Sequence, residues 1–197
     1  MAARPEPTQA RLGPRLIRRV EVLRLLFGVV WAIDAYLKWQ PSFIHSYQAD
    51  VASAGQGQPD WIRPWFRFWR HLIAHDPRLA VYATALIETL IALFLIVGFL
   101  RRPLYILGAL WSVGIWVVPE GFGGSFLAGA TDIGTAIMYV LIFATLYSLE
   151  TLPTSTGAWA LDRIIERHIP WWPILAEPGR RIRPNEPGTT PLVRPGR

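Results

Sequence analysis

The sequence predicts an all-α membrane protein: a four-transmembrane-helix bundle with an interfacial amphipathic helix between helices 1 and 2 and a C-terminal amphipathic segment. Three observations predict it. The chain of 197 residues is 52% hydrophobic, and the apolar residues gather into long runs that a soluble core of this size does not need. The net charge of +6 is crowded at the two ends and in the turn at Arg101 and Arg102, the pattern of cytoplasmic flanks under the positive-inside rule. Ten tryptophans suit a protein with much interfacial surface, because an indole joins an apolar body to a polar N–H. The same placement of arginines favours membrane lipids as partners over nucleic acid. With no cysteine, disulfides, thiolate metal sites and thiol redox chemistry are excluded, so any redox role needs a borrowed cofactor.

Residues 1–19 form a basic N-terminal tail, and the run from Val20 to Leu37 follows it directly. The run is too long for a signal-peptide core and no small-residue cleavage site follows, so it is expected as an uncleaved first span over about 20–38. Asp34 and Lys38 lie one turn apart on one face of this helix, with Trp31 three residues before Asp34. They read as a local ion pair, although a lysine beside Trp39 can also simply extend to the interface. Gln40-Pro41 ends the helix and residues 42–60 read as a polar loop. From Ile62, apolar residues recur at helical spacing while Arg63, Arg67 and Arg70 fall on the other side, giving an interfacial helix over about 61–75 with Asp60 as a cap. His71 and His75 are also one turn apart here, with His45 and Asp76 as conceivable company. Without a defined third ligand they read as interfacial hydrogen-bonding residues, and no metal site is assigned.

The second span, 79–100, carries Glu88 near its middle, where a carboxylate must face other helices or water. A packing role, protonated and bonded to a neighbouring helix, is the alternative to a functional one. The third span, 104–118, is short and contains Gly108, Gly114, Trp111 and Trp116. Between it and the fourth span, 132–152, the stretch from Pro119 to Asp132 places Glu120 and Asp132 on a backbone that five residues, Pro119 and four glycines, can bend sharply. Thr131 or Asp132 could equally serve as the cap of the fourth helix. Residues 153–177 form the interfacial amphipathic segment, with caps in Thr154-Ser-Thr-Gly157 and anchors in Trp171 and Trp172, and residues 178–197 form a proline- and arginine-rich tail that should not fold by itself.

The run from Leu25 through Asp34 and Lys38 to Pro41, with Glu88 and the stretch from Glu120 to Asp132, resembles the DoxX and DoxD group of small four-helix membrane proteins over about residues 20–152. The resemblance implies a four-helix bundle and, in some members, association with quinone-linked oxidation or with membrane oxidoreductase complexes. Three readings follow. The leading one is an accessory subunit of a membrane redox assembly in the cytoplasmic membrane, multi-pass with both termini cytoplasmic. Asp34, Lys38, Glu88, Glu120 and Asp132 would supply a quinol or proton site, and Trp31, Trp111 and Trp116 would line a quinone ring. No intrinsic cofactor is expected, since haem or iron–sulfur ligation needs ligands the spans lack. The others are a purely structural subunit of a large complex and a small proton- or cation-handling transporter acting as an oligomer.

Overall fold

The computed structural model describes residues 14–151 and 159–177. The tail at 1–13, the expected caps at Thr154–Gly157 and the tail from 178 lie outside the described residues. Everything regular among the described residues is helical: α1 (Pro14–Lys38), α2 (Pro41–Ser53), α3 (Arg63–His75), α4 (Pro77–Val97), α5 (Arg101–Val117), α6 (Ala136–Glu150), and the short α7 (Leu161–Glu166) and α8 (Trp172–Ala176).

Four long helices make the bundle as two antiparallel pairs. In the first, α1 and α4 approach closely at Gly28, where a Cβ would stand 2.9 Å from the Ile96 side chain. In the second, α5 meets α6 at Gly108, whose bare backbone lies against the Phe143 ring. Val20, Phe27, Trp31, Ile91, Leu95, Leu104, Phe143 and Leu146 form the core between the pairs. Among the described residues, α4 alone is a helix long and apolar enough to cross a membrane by length and composition. The first helix has 25 residues, but Glu21, Arg24, Asp34 and Lys38 interrupt it. At 17 and 15 residues, α5 and α6 reach about 26 and 22 Å at about 1.5 Å per residue.

The stretch expected as a polar loop after the first helix is instead largely α2. Pro41 opens it at a position where no N–H is needed, and Phe43, Ile44, Tyr47 and Val51 recur at helical spacing. Val51 packs with Ile73 of α3 and Val118, and the Tyr47 hydroxyl lies 3.2 Å from Thr84 Oγ1, so α2 and α3 cover the end of the bundle where α4 outreaches α1. Asp60 does not cap α3: Ile62 occupies the N-cap, and Asp60 pairs with Arg63 at 2.6 Å. At the opposite end α7 and α8 fold back onto the turn between α4 and α5. There the left-handed Gly98 leaves room for Ala160, and its carbonyl accepts from Asp162 N–H at 3.2 Å.

Candidate functional site

The ion pair expected on α1 forms, and a third member joins it from α4. Lys38 Nζ stands 2.8 Å from Asp34 Oδ1 and 3.5 Å from Glu88 Oε2. Exposure falls along the trio: the side chains of Asp34, Lys38 and Glu88 are 25%, 19% and 0% accessible. One cation therefore links a carboxylate that touches the surroundings to one that does not. The Glu88 oxygens have no close hydrogen bond, and the Trp111 indole N–H is their near neighbour outside hydrogen-bond geometry. Beside the trio, Trp39 Nε1 donates to Thr89 Oγ1 at 3.0 Å, fixing the end of α1 to the middle of α4. Lys38 also lies 5.2 Å from the centre of the Phe43 ring, so α2 covers the cation from above.

The other two expected acids do not join. Glu120 folds inward as the glycine-rich stretch allows, and its carboxylate accepts the Ala136 N–H at 3.0 and 3.2 Å. It therefore satisfies the first turn of α6, which begins at Ala136 and not at residue 132, with Thr135 at the N-cap making no side-chain bond. Gly123 packs its backbone directly on Ile133 and Gly134 at φ +64°, which is why this connection needs glycine. Burial pushes the Glu120 carboxyl above the usual glutamate value; the Ala136 N–H opposes this and the charge of Asp132 adds to it. Asp132 itself is exposed and bonds the N–H groups of Ile133 and Gly134 at 2.6 and 3.1 Å, a local turn apart from the trio.

The tryptophans expected to line a flat ring do not form one slot. Trp31 is completely buried, surrounded by Phe27, Tyr139 and Phe143 at centroid distances of 5.5–6.2 Å. Trp116 lies 5.2 Å from Phe122 and donates to the Ile133 carbonyl at 2.6 Å, so it holds the loop. Only Trp111 borders the charged trio through its N–H. His71 and His75 are exposed on α3, and among the described residues no group of three ligand-type side chains is placed to hold a metal ion.

A second charged cluster, at the other end of the bundle, escaped sequence reasoning. Arg24 is buried, pairs with Glu21 at 3.0 Å, and donates to the carbonyls of Leu95, Ile96 and Trp159. Arg101, also buried, bonds Glu150 at 2.8 Å and lies 3.4 Å from Asp162 and 3.5 Å from Glu177. Asp162 accepts from the N–H groups of Leu100 and Arg101 at 2.9 and 3.1 Å and from the Trp172 indole at 3.0 Å. It thus caps α5 from a distant segment. Glu21 and Arg24, three residues apart inside a run read as apolar, were the available signal. Arg101 was read only as a topology marker.

A family model described as DoxX matches residues 20–121, which span α1 to α5 and contain Asp34, Lys38, Glu88 and Glu120 but not Asp132. No curated protein and no solved structure matches the chain. The chain, helical in its regular structure among the described residues with one membrane-length apolar helix there and matched over more than half its length, belongs to the DoxX family, and that membership supports a membrane-associated protein of a general accessory, redox-associated kind.

Proposed function

We propose that this chain is a multi-pass accessory subunit of a quinone-linked redox assembly in the cytoplasmic membrane, and that Asp34, Lys38 and Glu88 form its proton site. The single observation that carries the reading is the cation between a partly accessible and a fully buried carboxylate. Multi-pass insertion is supported by the outward faces of all four long helices. Leu26 and Ile33, Leu86 and Leu93, Leu107 and Leu110, and Leu141 are 49–63% exposed, a surface suited to lipid. Both termini lie on the cytoplasmic side in this reading, beside the basic N-terminal segment.

The ring site proper does not fit Trp31 or Trp116, whose surroundings are filled by other aromatics. The part assigned to this chain is therefore the proton. Quinol oxidation releases two electrons and two protons; the electrons go to a redox partner, one proton is taken by the Glu88 carboxylate and the other passes directly to water. On protonation Glu88 releases Lys38, which keeps Asp34 at 2.8 Å, and the proton leaves through Asp34, the accessible end. Glu88→Gln keeps the shape of the side chain and removes its proton chemistry. Quinol-linked turnover of the assembly purified with this chain is expected to fall about a hundredfold, with the subunits still co-purifying. Unchanged turnover removes Glu88 from the mechanism and leaves the structural-subunit reading. That alternative is favoured by the buried Arg24 and Arg101 networks, which serve only to hold segments together.

A further inference from the structure

The basic stripe of α3 does not lie flat against the bundle. It forms one wall of a groove whose other wall is α2. A cavity of about 560 Å³ is bordered by Arg63, Arg67 and Arg70 on one side and by Ala52 of α2 with Gly55 and Gln56 just after it on the other, and Asp60 lines its Arg63 end. It continues into a second of about 470 Å³ that shares Ala52, Arg67 and Arg70 and reaches His71. From Arg63 to His71 the groove runs about 12 Å along the helix. Arg63 is paired with Asp60 at 2.6 Å, whereas Arg67 and Arg70 pair with no carboxylate among the described residues. Like charges three and four residues apart on one helix repel, so these three side chains are at their best with an anionic group between them.

The direction of the groove narrows what that anion is. Trp65, Phe68 and Leu72 are exposed on α3 nearly opposite the arginines. With that apolar stripe in lipid, as expected of an interfacial helix in the membrane reading proposed above, the groove opens on the side of α3 that faces water. Its length exceeds a single phosphate. We infer that the groove between α2 and α3 docks an extended acidic polypeptide segment of a partner subunit, its carboxylates seated on Arg67 and Arg70. Arginine forks suit carboxylates in pairs, and such contacts set partner choice and weaken with salt.

The probe is a fluorescent pentaglutamate peptide titrated by anisotropy into the full chain in nanodiscs of phosphatidylcholine, with pentaglutamine as control. Saturable binding is expected for pentaglutamate alone. Arg67→Glu/Arg70→Glu should weaken it about tenfold or more, and Arg67→Lys/Arg70→Lys, which retains charge and fold, should keep most of it. Circular dichroism confirms that each variant is folded. Failure of pentaglutamate to bind, or binding indifferent to charge reversal in folded protein, overturns the inference. So does a reversal that, in nanodiscs that also contain phosphatidylglycerol, abolishes binding of that lipid while leaving pentaglutamate binding intact, which would give the groove to a lipid headgroup. Loss of peptide binding in Arg67→Glu/Arg70→Glu together with full turnover in Glu88→Gln would sink the proton site and leave the docking groove standing.

Discussion

Lys38 is the residue on which the charged site depends. Removed from Glu88, it would leave a carboxylate with no cation and no close hydrogen bond in the bundle interior, and such a group gives up its charge. Glu120 presents the opposite case, a carboxylate with backbone partners at the edge of the bundle. Its folded-state value lies above the ordinary one near 4.5, so folding favours the protonated form. The stability this contributes is complete below the ordinary value and is lost as pH rises through the folded one. Glu120→Gln retains an acceptor for the Ala136 N–H and does not titrate. It is expected to match the parent at about pH 4 and to exceed it at about pH 7, by less than about 1 kcal/mol. Thermal unfolding in one detergent at both pH values checks this, and a variant weaker than the parent at pH 7 would show that the ionised carboxylate is the better cap. Asp34, Lys38 and Glu88 were legible because helical spacing and the cost of charge at depth single them out. The local role of Asp132 was not, since a residue before a helix reads alike as cap, turn or site acid.

At the scale of elements, the helices that carry a long apolar run, and α3 with its apolar periodicity, were legible, and the ones defined by contacts were not. The first residues after Pro41 look polar in composition, yet Phe43, Ile44, Tyr47 and Val51 give α2 a face that packs only because α3 and α4 are present. The α5 N-terminus shows the same dependence. Its N-cap, Leu100, is left-handed and offers no side-chain oxygen, so the orphan N–H groups at 100 and 101 are satisfied by Asp162 from 62 and 61 residues away. No local pattern can reveal such a cap. Asp162→Ala removes the bonds to two N–H groups and to Trp172 and leaves Arg101 with less compensation, all in a site with no solvent access. A loss of about 2–4 kcal/mol is expected, together with protease cleavage near α7 long before the bundle unfolds. Limited proteolysis followed by mass mapping reads the second effect. Cleavage no faster than in the parent would mean that Arg24, through its bond to the Trp159 carbonyl, is enough to hold the segment.

At the scale of the whole molecule, the two charged clusters sit at different depths and opposite ends, and this bears on how the bundle lies in a membrane. Of the arginines of the α4–α5 turn, which suggested the cytoplasmic side, Arg101 is buried against Glu150, Asp162 and Glu177 and Arg102 donates to the Glu150 carbonyl, so much of the charge of Arg101 is neutralised within the protein. Charge bias alone therefore carries less of the orientation than the sequence suggested. Length does not settle the spans either: α5 and α6 are short, and a bundle can accommodate short helices by thinning the bilayer around them. Placement is better tested directly, and the absence of cysteine makes every introduced thiol a clean reporter. Ser53→Cys at the end of α2 and Ser125→Cys in the glycine-rich connection lie at one end of the bundle, and His168→Cys after α7 lies at the other; all three positions are exposed. If α1, α4, α5 and α6 all cross, an impermeant maleimide added to sealed right-side-out vesicles should label Ser53→Cys and Ser125→Cys and spare His168→Cys. Inverted vesicles should reverse the pattern. Labelling of all three from one side would mean that only part of the bundle inserts, and Glu88 would then face a protein interior with no membrane around it, where a proton site has no potential to work against.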